Sequence, residues 1–344
     1  MGGRLTMAKI KRLFNDPYDI VEEMVEGYVG AHKQYVKMCD LDEAQGRVVL
    51  ANDAGTKDKV GVIIGGGSGH EPLFIGYVGE DFADAVVIGN INTSPSPDPC
   101  YAAAKACDNG KGCIYLYGNY AGDVMNFDMG AEKADEEDDI RVETVLVTDD
   151  VVSSENIPDR RGIAGDFFVF KVAGAKAATG ADLDEVVAAA QKANDNTRSM
   201  GVAMSSATLP AKGGTIFDME DGDMEIGMGI HGEPGIRRGK IDTADNVIDE
   251  IMEPILKDLP YVEGDEVYVL VNSLGATPLI DLHVCYRRVA QILEEKGIKV
   301  YKALVGPFAC SMDMAGMSLT LMKLDDELKE LMDAPCDTPY FTQK

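Results

Sequence analysis

The stretch G-V-I-I-G-G-G-S-G-H-E-P, residues 61–72, joins a short apolar run to four clustered glycines that flank Ser68 and precede His70. Residues 60–64 are rich in β-branched side chains and predict a strand buried on both faces. The glycines after it would let backbone N–H groups approach a ligand oxygen closely. Because ligands of open α/β sheets bind at the carboxyl ends of strands, His70 is a candidate site residue. The alternative is a tight strand-to-helix turn with a surface histidine.

The spacing of these glycines does not fit the two common nucleotide-binding loops. Counting from Gly65, the third glycine of G-x-G-x-x-G would fall on His70. The G-K-[ST] sequence of a phosphate-binding loop is absent as well. A dinucleotide-dependent oxidoreductase is therefore only a weak alternative for this chain.

Outward from this stretch, similar apolar runs alternate with helical patterns. The further strand candidates are residues 85–88, 113–117, 142–147 and 267–272. The helix candidates are residues 99–106, 183–193 and 280–296, the last of them followed by a glycine that is typical of a helix end. Alternating strands and helices predict an α/β protein. We expect a two-domain subunit in which each domain is a β-sheet flanked by helices.

A change in sequence character predicts where the two domains meet. A length of 344 residues suggests about two domains. Residues 197–228 switch to short strand-like segments separated by turns. We therefore expect residues 1–195 plus 321–344 to form the first domain and residues 196–320 the second, with the C-terminal tail returning to the first.

The charge balance and cysteine usage exclude several classes of partner. Lys and Arg number 32 and Asp and Glu 59, so the net charge is 32 − 59 = −27. A polyanion repels nucleic acid and anionic membranes, and no apolar run is long enough to span a bilayer. Seven scattered cysteines without a C-x-x-C pair predict free thiols in a reducing cytosol, hence a cytoplasmic protein. No His, Cys or carboxylate cluster has metal-site spacing, so we predict no metal on this chain.

A second glycine-rich loop, G-M-G-I-H-G-E-P-G at residues 227–235, repeats the first loop's combination of a histidine, a glutamate and a proline. The chain has four histidines, and two of them, His70 and His231, lie in such loops. A neutral imidazole in this setting can act as a nucleophile or a base near neutral pH. The alternative is a hydrogen-bonded histidine that only stabilises a turn.

A third candidate follows the strand predicted at residues 113–117. The sequence Y-L-Y-G-N-Y-A-G-D-V-M-N-F, residues 115–127, places Asp123 at the start of a predicted helix. The carboxylate could take a proton from a substrate hydroxyl. The commoner role of an aspartate in this place is to cap the helix, and the sequence leaves both roles open.

Taken together, these motifs resemble one known family. G-G-G-S-G-H-E-P, N-Y-x-G-D-x-x-N-F, G-x-G-I-H-G-E-P-G, N-x-L-G-A-T-P-L and S-x-D-M-x-G-x-S-x-T-L occur in this order between about residue 11 and residue 339. The combination is similar to the substrate-binding K subunit of dihydroxyacetone kinase. Five linked motifs are far more specific than any one of them.

The resemblance implies a role for each candidate. It makes His231 the nucleophile that binds the ketone carbon of dihydroxyacetone as a hemiaminal. It makes His70 the hydrogen-bond partner of the hydroxyl to be phosphorylated, and Asp123 the base or positioning group beside it. The backbone of Gly67, Ser68 and Gly69 is expected to line the substrate. Many members have lysine where this chain has Gly118, so the substrate contact at that position is an expectation for the backbone alone.

The resemblance also implies partners. Single-chain relatives carry a nucleotide-binding domain after this region, whereas this sequence ends at Lys344. We therefore expect no cofactor on this chain, and ADP or ATP with magnesium on a separate L subunit, which a phosphocarrier of the phosphotransferase system could recharge. A homodimer is also implied. The alternatives are a kinase subunit for a four-carbon ketose such as erythrulose, and a non-catalytic ketose-sensing coactivator.

Overall fold

The computed structural model describes residues 12–344, so the first eleven residues of the proposed first domain lie outside it. Eight α-helices occur in the described part of the chain. They are α1 (Ile20–Ala31), α2 (Pro97–Cys107), α3 (Ala121–Asp138), α4 (Asp166–Ala178), α5 (Leu183–Asp195), α6 (Ala244–Asp258), α7 (Leu279–Glu295) and α8 (Asp326–Asp333).

The first sheet has six strands in the order β1-β2-β4-β3-β5-β6. Its four strands from β3 to β6 are parallel neighbours, and β1 and β2 add an antiparallel edge. The strands are β1 (Val36–Met38), β2 (Val48–Ala51), β3 (Gly61–Ser68), β4 (Ala85–Ile91), β5 (Cys113–Gly118) and β6 (Val142–Val147). Helices on both faces explain why the central strands are almost wholly apolar.

The second sheet is mostly antiparallel, with the order β11-β10-β7-β14-β12-β13. Only β12 and β13 within it are parallel. Its strands are β7 (Thr197–Ala203), β10 (Asp223–Ile226), β11 (Arg237–Lys240), β12 (Glu266–Ser273), β13 (Lys299–Gly306) and β14 (Gly316–Leu324). Two small hairpins complete the chain, namely β8 (Thr208–Leu209) with β9 (Gly214–Thr215) and β15 (Cys336–Asp337) with β16 (Thr342–Gln343). The predicted α/β class is confirmed.

The glycine run after residue 64 is a continuation of the strand, and the prediction that the loop begins there was wrong. Strand β3 continues to Ser68, and all eight of its residues are buried. A Cβ on Gly65 would lie 2.6 Å from the carbonyl oxygen of Val87 and 2.8 Å from the ring of Phe127. Because β4 and α3 approach the strand this closely, only glycine fits in the strand itself. The turn is displaced to residues 69–74, and His70 lies within it.

The predicted helices are present with small shifts at their ends. Helix α5 begins at a complete capping box, in which Asp182 accepts from the Glu185 N–H and the Glu185 side chain accepts from the Asp182 N–H. Helix α7 ends just before Gly297, whose φ of 68° is the left-handed conformation expected of glycine there.

Helix α4 lies between the two sheets. Eleven of its thirteen residues are buried, as expected of a helix that is apolar on all sides. Its ring of Phe168 packs 5.2 Å from the ring of Tyr268 on β12, and the same helix contacts β3 and β5 of the first sheet. The helix therefore joins the cores of the two sheets.

The C-terminal segment packs against the first sheet's side of the molecule. Buried Lys171 on α4 donates to the carbonyl oxygens of Leu331, at 3.1 Å, and Ala334, at 2.9 Å. The backbone of Glu80 also pairs with that of Asp337. These contacts support the proposal that residues after about 320 return to the first domain, although β14 extends to Leu324, so that proposed boundary would fall at 325 and not 321.

The Lys171→Met substitution tests this attachment. It removes the donor of two buried carbonyl groups, and we expect a loss of about 2 kcal/mol in the free energy of unfolding, measured by urea denaturation. The matched control is Lys299→Met at an exposed position, for which we expect a change within about 0.5 kcal/mol. Equal effects of the two substitutions would show that the contact with the C-terminal segment contributes nothing.

Candidate functional site

A small cavity lies where the carboxyl ends of β3 and β5 meet a loop of the second sheet and the N-terminus of α4. Its lining residues are Gly65, Gly66, Gly67, His70, Leu73, Phe74, Gly118, Tyr120, Asp123, Gly162, Asp166, Ile230 and His231. The three side chains predicted as catalytic are therefore brought together from segments up to 161 residues apart, since 231 − 70 = 161.

His70 is held in one tautomer by the backbone. Its Nδ1 lies 2.8 Å from the carbonyl oxygen of Cys310, and a carbonyl oxygen can only accept. The proton is therefore on Nδ1, and Nε2 carries a free lone pair. Nε2 is buried and has no partner in the described protein. Burial, with a smaller contribution from His231, lowers the pKa of His70 to about 3, so the ring is neutral at physiological pH.

His231 lies directly against His70. The ring centroids are 4.7 Å apart at an interplanar angle of 76°, and the ring of Tyr120 is 4.5 Å from His231 on another side. Nδ1 of His231 is 3.0 Å from a carboxylate oxygen of Glu233. A carboxylate accepts from Nδ1–H, which leaves Nε2 of His231 with its lone pair available for attack.

Glu233 is ionised although it is largely enclosed. Burial by itself would raise its pKa, but the hydrogen bond and the charge interaction with His231, with a smaller contribution from Arg161, lower the pKa to about 2. The Nη1 atom of Arg161 is 3.8 Å from the Glu233 carboxylate, and its Nη2 atom is 2.7 Å from Asp150. The His231 ring is thus oriented by Glu233, which contacts Arg161, and Arg161 in turn pairs with Asp150 just after β6.

Asp123 lies in the first turn of α3, but it does not cap the helix. The N-cap residue is Tyr120, and it makes no side-chain capping bond. Oδ1 of Asp123 is buried without a partner. Burial raises the pKa of Asp123 to about 6, against the opposing effects of Ser94 and His231. Of the two roles left open by the sequence, the geometry favours that of a proton acceptor.

The other predicted substrate contacts divide between two places. Gly67 and Gly118 line the cavity. Ser68 and Gly69 line a separate cleft that contains Arg12 and Glu71, so their contact with the substrate stays a prediction. Their polar groups are also occupied, because the Ser68 hydroxyl donates to the Gly89 carbonyl and the Gly69 N–H donates to the Glu71 carboxylate.

Gly118 allows a close approach of two backbone segments. A Cβ at this position would lie 3.1 Å from the carbonyl oxygen of Gly162 and 3.2 Å from the ring of Tyr120. Tyr120 itself donates a hydrogen bond to that same carbonyl, at 3.1 Å. A larger residue would have to displace one of these neighbours, and Gly118 contributes only backbone to the cavity.

Several residues of the site were missed by sequence reasoning. Glu233 was visible only as part of the H-G-E-P motif, and Tyr120 only as part of N-Y-x-G-D. Arg161, Gly162 and Asp166 carried no signal, because G-D-F-F-V-F reads as the ordinary acidic start of a buried helix.

The described residues contain neither a metal-binding cluster nor a membrane-spanning helix. Within residues 12–344 no group of three or more His, Cys, Asp or Glu side chains could hold a metal ion. None of the helices in that range is long and apolar enough to cross a membrane.

The fold and cavity define a class of protein: a two-domain α/β protein in which two histidines and a carboxylate line one small cavity. Comparison with known families matches residues 26–340 to the Dak1 domain. The chain therefore belongs to the Dak1 family, that of the DhaK subunits of dihydroxyacetone kinases, and the family resemblance seen in the sequence is confirmed.

Two relatives show the range of the family. The chain is 60% identical over 332 residues to the PTS-dependent dihydroxyacetone kinase 2, dihydroxyacetone-binding subunit DhaK, of Listeria innocua, covering 96% of this chain and 99% of that protein. It is 43% identical over 336 residues to the L-erythrulose 1-kinase of Mycolicibacterium smegmatis, covering 96% of this chain and 57% of that one.

Two solved structures share the fold. The dihydroxyacetone kinase of C. freundii, in complex with AMP-PNP and Mg²⁺, matches with a TM-score of 0.87 and 31% identity. The match covers 97% of this chain and 61% of that kinase. The dihydroxyacetone kinase operon co-activator Dha-DhaQ matches with a TM-score of 0.86 and 28% identity, over 94% of this chain and 98% of that one.

The tautomer of His70 is testable in solution. We expect its Nε2 to remain unprotonated, with the proton on Nδ1, down to about pH 5, because its pKa is lowered to about 3. ¹⁵N-histidine labelling gives signals from only four residues, and a His70→Gln variant assigns the one in question. Protonation of this ring near the usual histidine pKa of about 6.5 would contradict the buried geometry.

Proposed function

We propose that this protein is the dihydroxyacetone-binding subunit of a dihydroxyacetone kinase and that it holds the ketose as a hemiaminal on His231. The observation that carries the proposal is the arrangement of His231, whose Nδ1 is bound by ionised Glu233 and whose ring lines a cavity shared with His70 and Asp123. The names of the DhaK relatives support the same substrate and reaction.

The first step forms the covalent bond. Nε2 of His231 attacks the carbonyl carbon with its lone pair, and the C=O π electrons move to the oxygen. Nδ1 gives its proton through Glu233 to solvent and the oxygen takes one proton from solvent, so the adduct is a neutral hemiaminal and Glu233 is a carboxylate again. Glu233 is 3.0 Å from Nδ1 and stabilises the positive charge that develops on the ring.

The second step uses the terminal hydroxyl of the bound ketose. The hydroxyl has one proton, which Nε2 of His70 accepts in a hydrogen bond before the reaction, and this bond fixes the direction of the hydroxyl. As the oxygen attacks the phosphoryl group of a nucleotide held by a partner, the proton leaves this hydrogen bond and is taken by Asp123. The phosphate ester forms, the nucleotide leaves as the diphosphate, and reversal of the first step releases dihydroxyacetone phosphate. The buried, unpaired acceptor atoms of His70 and Asp123 are the two groups to which such a hydroxyl could donate its proton in turn.

A covalent bond also provides specificity. Dihydroxyacetone has so few atoms that noncovalent contacts could supply at most roughly 9 kcal/mol, at about 1.5 kcal/mol per non-hydrogen atom. Glycerol offers nearly the same hydroxyl groups but has no carbonyl carbon for His231 to attack. The nucleophile therefore distinguishes two molecules that hydrogen bonds alone distinguish poorly.

The partners follow from the same proposal. The nucleotide and its magnesium belong to a separate L subunit, and the PTS-dependent relatives favour ADP that is recharged there by a phosphocarrier protein. ATP as the donor is the alternative. We also propose a cytoplasmic homodimer that acts in glycerol metabolism and has no nucleic-acid or membrane partner, since the net charge of −27 repels both.

Two alternatives have specific support. Similarity to the erythrulose kinases favours a four-carbon ketose, which reacts through the same carbonyl chemistry. The shared fold with the co-activator favours a ketose sensor without phosphoryl transfer. The presence of Asp123 beside both histidines supports the kinase over the sensor, because a sensor needs no proton acceptor at the hydroxyl. Addition of an L subunit and a phosphoryl donor separates them, since only the kinase makes ketose phosphate.

The adduct is expected to be visible by ¹³C NMR. With dihydroxyacetone labelled at the carbonyl carbon, the bound signal should move from the ketone region to that of a tetrahedral carbon bonded to oxygen and nitrogen. His231→Ala should remove this signal completely.

The matched control is His283→Ala, which changes an exposed histidine on α7 and should leave the adduct unchanged. If wild-type protein binds the labelled ketose with only a ketone signal, His231 is not a nucleophile and the proposed chemistry fails.

The pH dependence tests Asp123. Its carboxylate must be unprotonated to accept the hydroxyl proton, and its pKa is raised to about 6, so the turnover rate with L subunit present should fall as pH drops through about 6. Asp123→Asn should lower the rate by about 10²- to 10⁴-fold and remove that inflection. The same L subunit serves both proteins, so an inflection that persists in the variant would belong to the partner and would contradict the assignment.

A further inference from the structure

Asp166 is a cavity residue that the proposed mechanism does not use. It is the first residue of α4 and only 2% exposed. Its Oδ1 atom is buried and has no hydrogen-bond partner in the described protein. It lines the same cavity as His70, Asp123 and His231. A buried carboxyl with an unsatisfied oxygen beside a ligand cavity calls for a physical explanation.

Helix capping does not supply that explanation. The backbone donors at the start of α4 are taken by a different residue, because Asp149 accepts from the Ile163 N–H and from the Gly165 N–H, each at 2.8 Å. No salt bridge to Asp166 occurs among residues 12–344. An ionised carboxylate without donors or a counter-ion is very costly in such a place, so the group remains neutral.

The surroundings of Asp166 favour its protonated form. Burial, followed by the charges of Asp149 and Asp123, raises the pKa of Asp166 well above its usual range. A protonated carboxyl carries an O–H donor as well as acceptor capacity. Asp166 therefore differs from the other polar groups of the cavity, since Nε2 of His70 and Oδ1 of Asp123 both accept.

Two glycines beside Asp166 allow their backbone segments to pack closely against each other. A Cβ on Gly162 would lie 3.1 Å from the unpaired Oδ1 of Asp166 and only 2.5 Å from the Cα of Gly118. Gly118 supplies no side chain at this end of the cavity, so it cannot donate a side-chain hydrogen bond to a ligand. Asp166, on the neighbouring segment, is the residue whose side chain can do so.

A ketose bound at His231 presents two hydroxymethyl arms. One arm holds the reacting hydroxyl and lies against His70 and Asp123 in the proposed mechanism. The other arm has a hydroxyl that would be buried on binding and needs a partner of its own. Asp166 is the cavity carboxyl that the reacting arm leaves without a partner.

We propose that Asp166 binds the second, non-reacting hydroxyl of the ketose and so selects for ketoses that carry a hydroxyl on both arms. This inference rests on the proposed function, because it assumes the ketose is held at His231. It assigns to Asp166 a binding role and no part in proton transfer.

The test compares two ketones that differ by one hydroxyl. Dihydroxyacetone has hydroxyls on both arms, and hydroxyacetone has one. Adduct formation with carbonyl-labelled samples of each is titrated by ¹³C NMR for the wild type, Asp166→Asn and Asp166→Leu. Hydroxyacetone can place its single hydroxyl either against Asp166 or against His70 and Asp123, and it will take the stronger of the two contacts. The ratio of its affinity to that of dihydroxyacetone therefore measures the weaker contact, which hydroxyacetone lacks.

For the wild type we expect dihydroxyacetone to bind about 10-fold more tightly than hydroxyacetone. Asp166→Leu has a similar shape and no polar atom, and it should bring the ratio to about 1. Asp166→Asn keeps a donor and an acceptor, and it should retain a ratio within about threefold of the wild type. If Asp166→Leu does not fold, Asp166→Ala provides the same comparison.

Each possible outcome separates the hypotheses. A structural role alone would weaken the binding of both ketones equally and leave the ratio unchanged, which overturns the inference. A wild-type protein that forms no adduct with either ketone contradicts the proposed function itself. Adducts with both ketones and an unchanged ratio in Asp166→Leu contradict only the role of Asp166.

Discussion

Burial of helix α4 between the two sheets is the constraint on which the site depends. Phe167 and Phe168 near its start are fully buried, so the helix cannot shift without opening both cores. Asp149 binds the backbone N–H groups that lead into the helix, and this fixes the segment that carries Arg161. Arg161 contacts Glu233, and Glu233 sets the tautomer of His231. Through these contacts, the packing of α4 fixes which nitrogen of His231 carries the free lone pair.

The cavity itself is assembled at a cost in stability. Nε2 of His70 and one oxygen each of Asp123 and Asp166 are buried without partners. Each such group loses its hydrogen bonds to water and regains none within the protein, at about 1–3 kcal/mol. A small molecule with several hydroxyls supplies hydrogen-bond donors and acceptors for such atoms. The unpaired groups are consistent with a site shaped to be completed by its ligand.

Sequence reasoning predicted the fold class and the chemical groups better than it predicted their positions. His70 and His231 were identifiable because two of four histidines lie in glycine-rich loops, and Asp123 because a carboxylate follows a buried strand. The extension of β3 through Ser68 was not predictable, since it depends on Val87 and Phe127 leaving no room for a side chain at Gly65. The Asp150–Arg161–Glu233 chain and the cavity position of Asp166 depend on contacts between distant segments, which local patterns do not encode.

The covalent role of His231 is the central claim, and a crystal structure of the protein soaked with dihydroxyacetone tests it most directly. The account predicts continuous electron density from Nε2 of His231 to the central carbon of the ketose, with one hydroxyl against His70 and Asp123. A planar ketose separated from His231 by a van der Waals gap, or a ketose bound in the cleft beside Ser68 and Gly69, would contradict it.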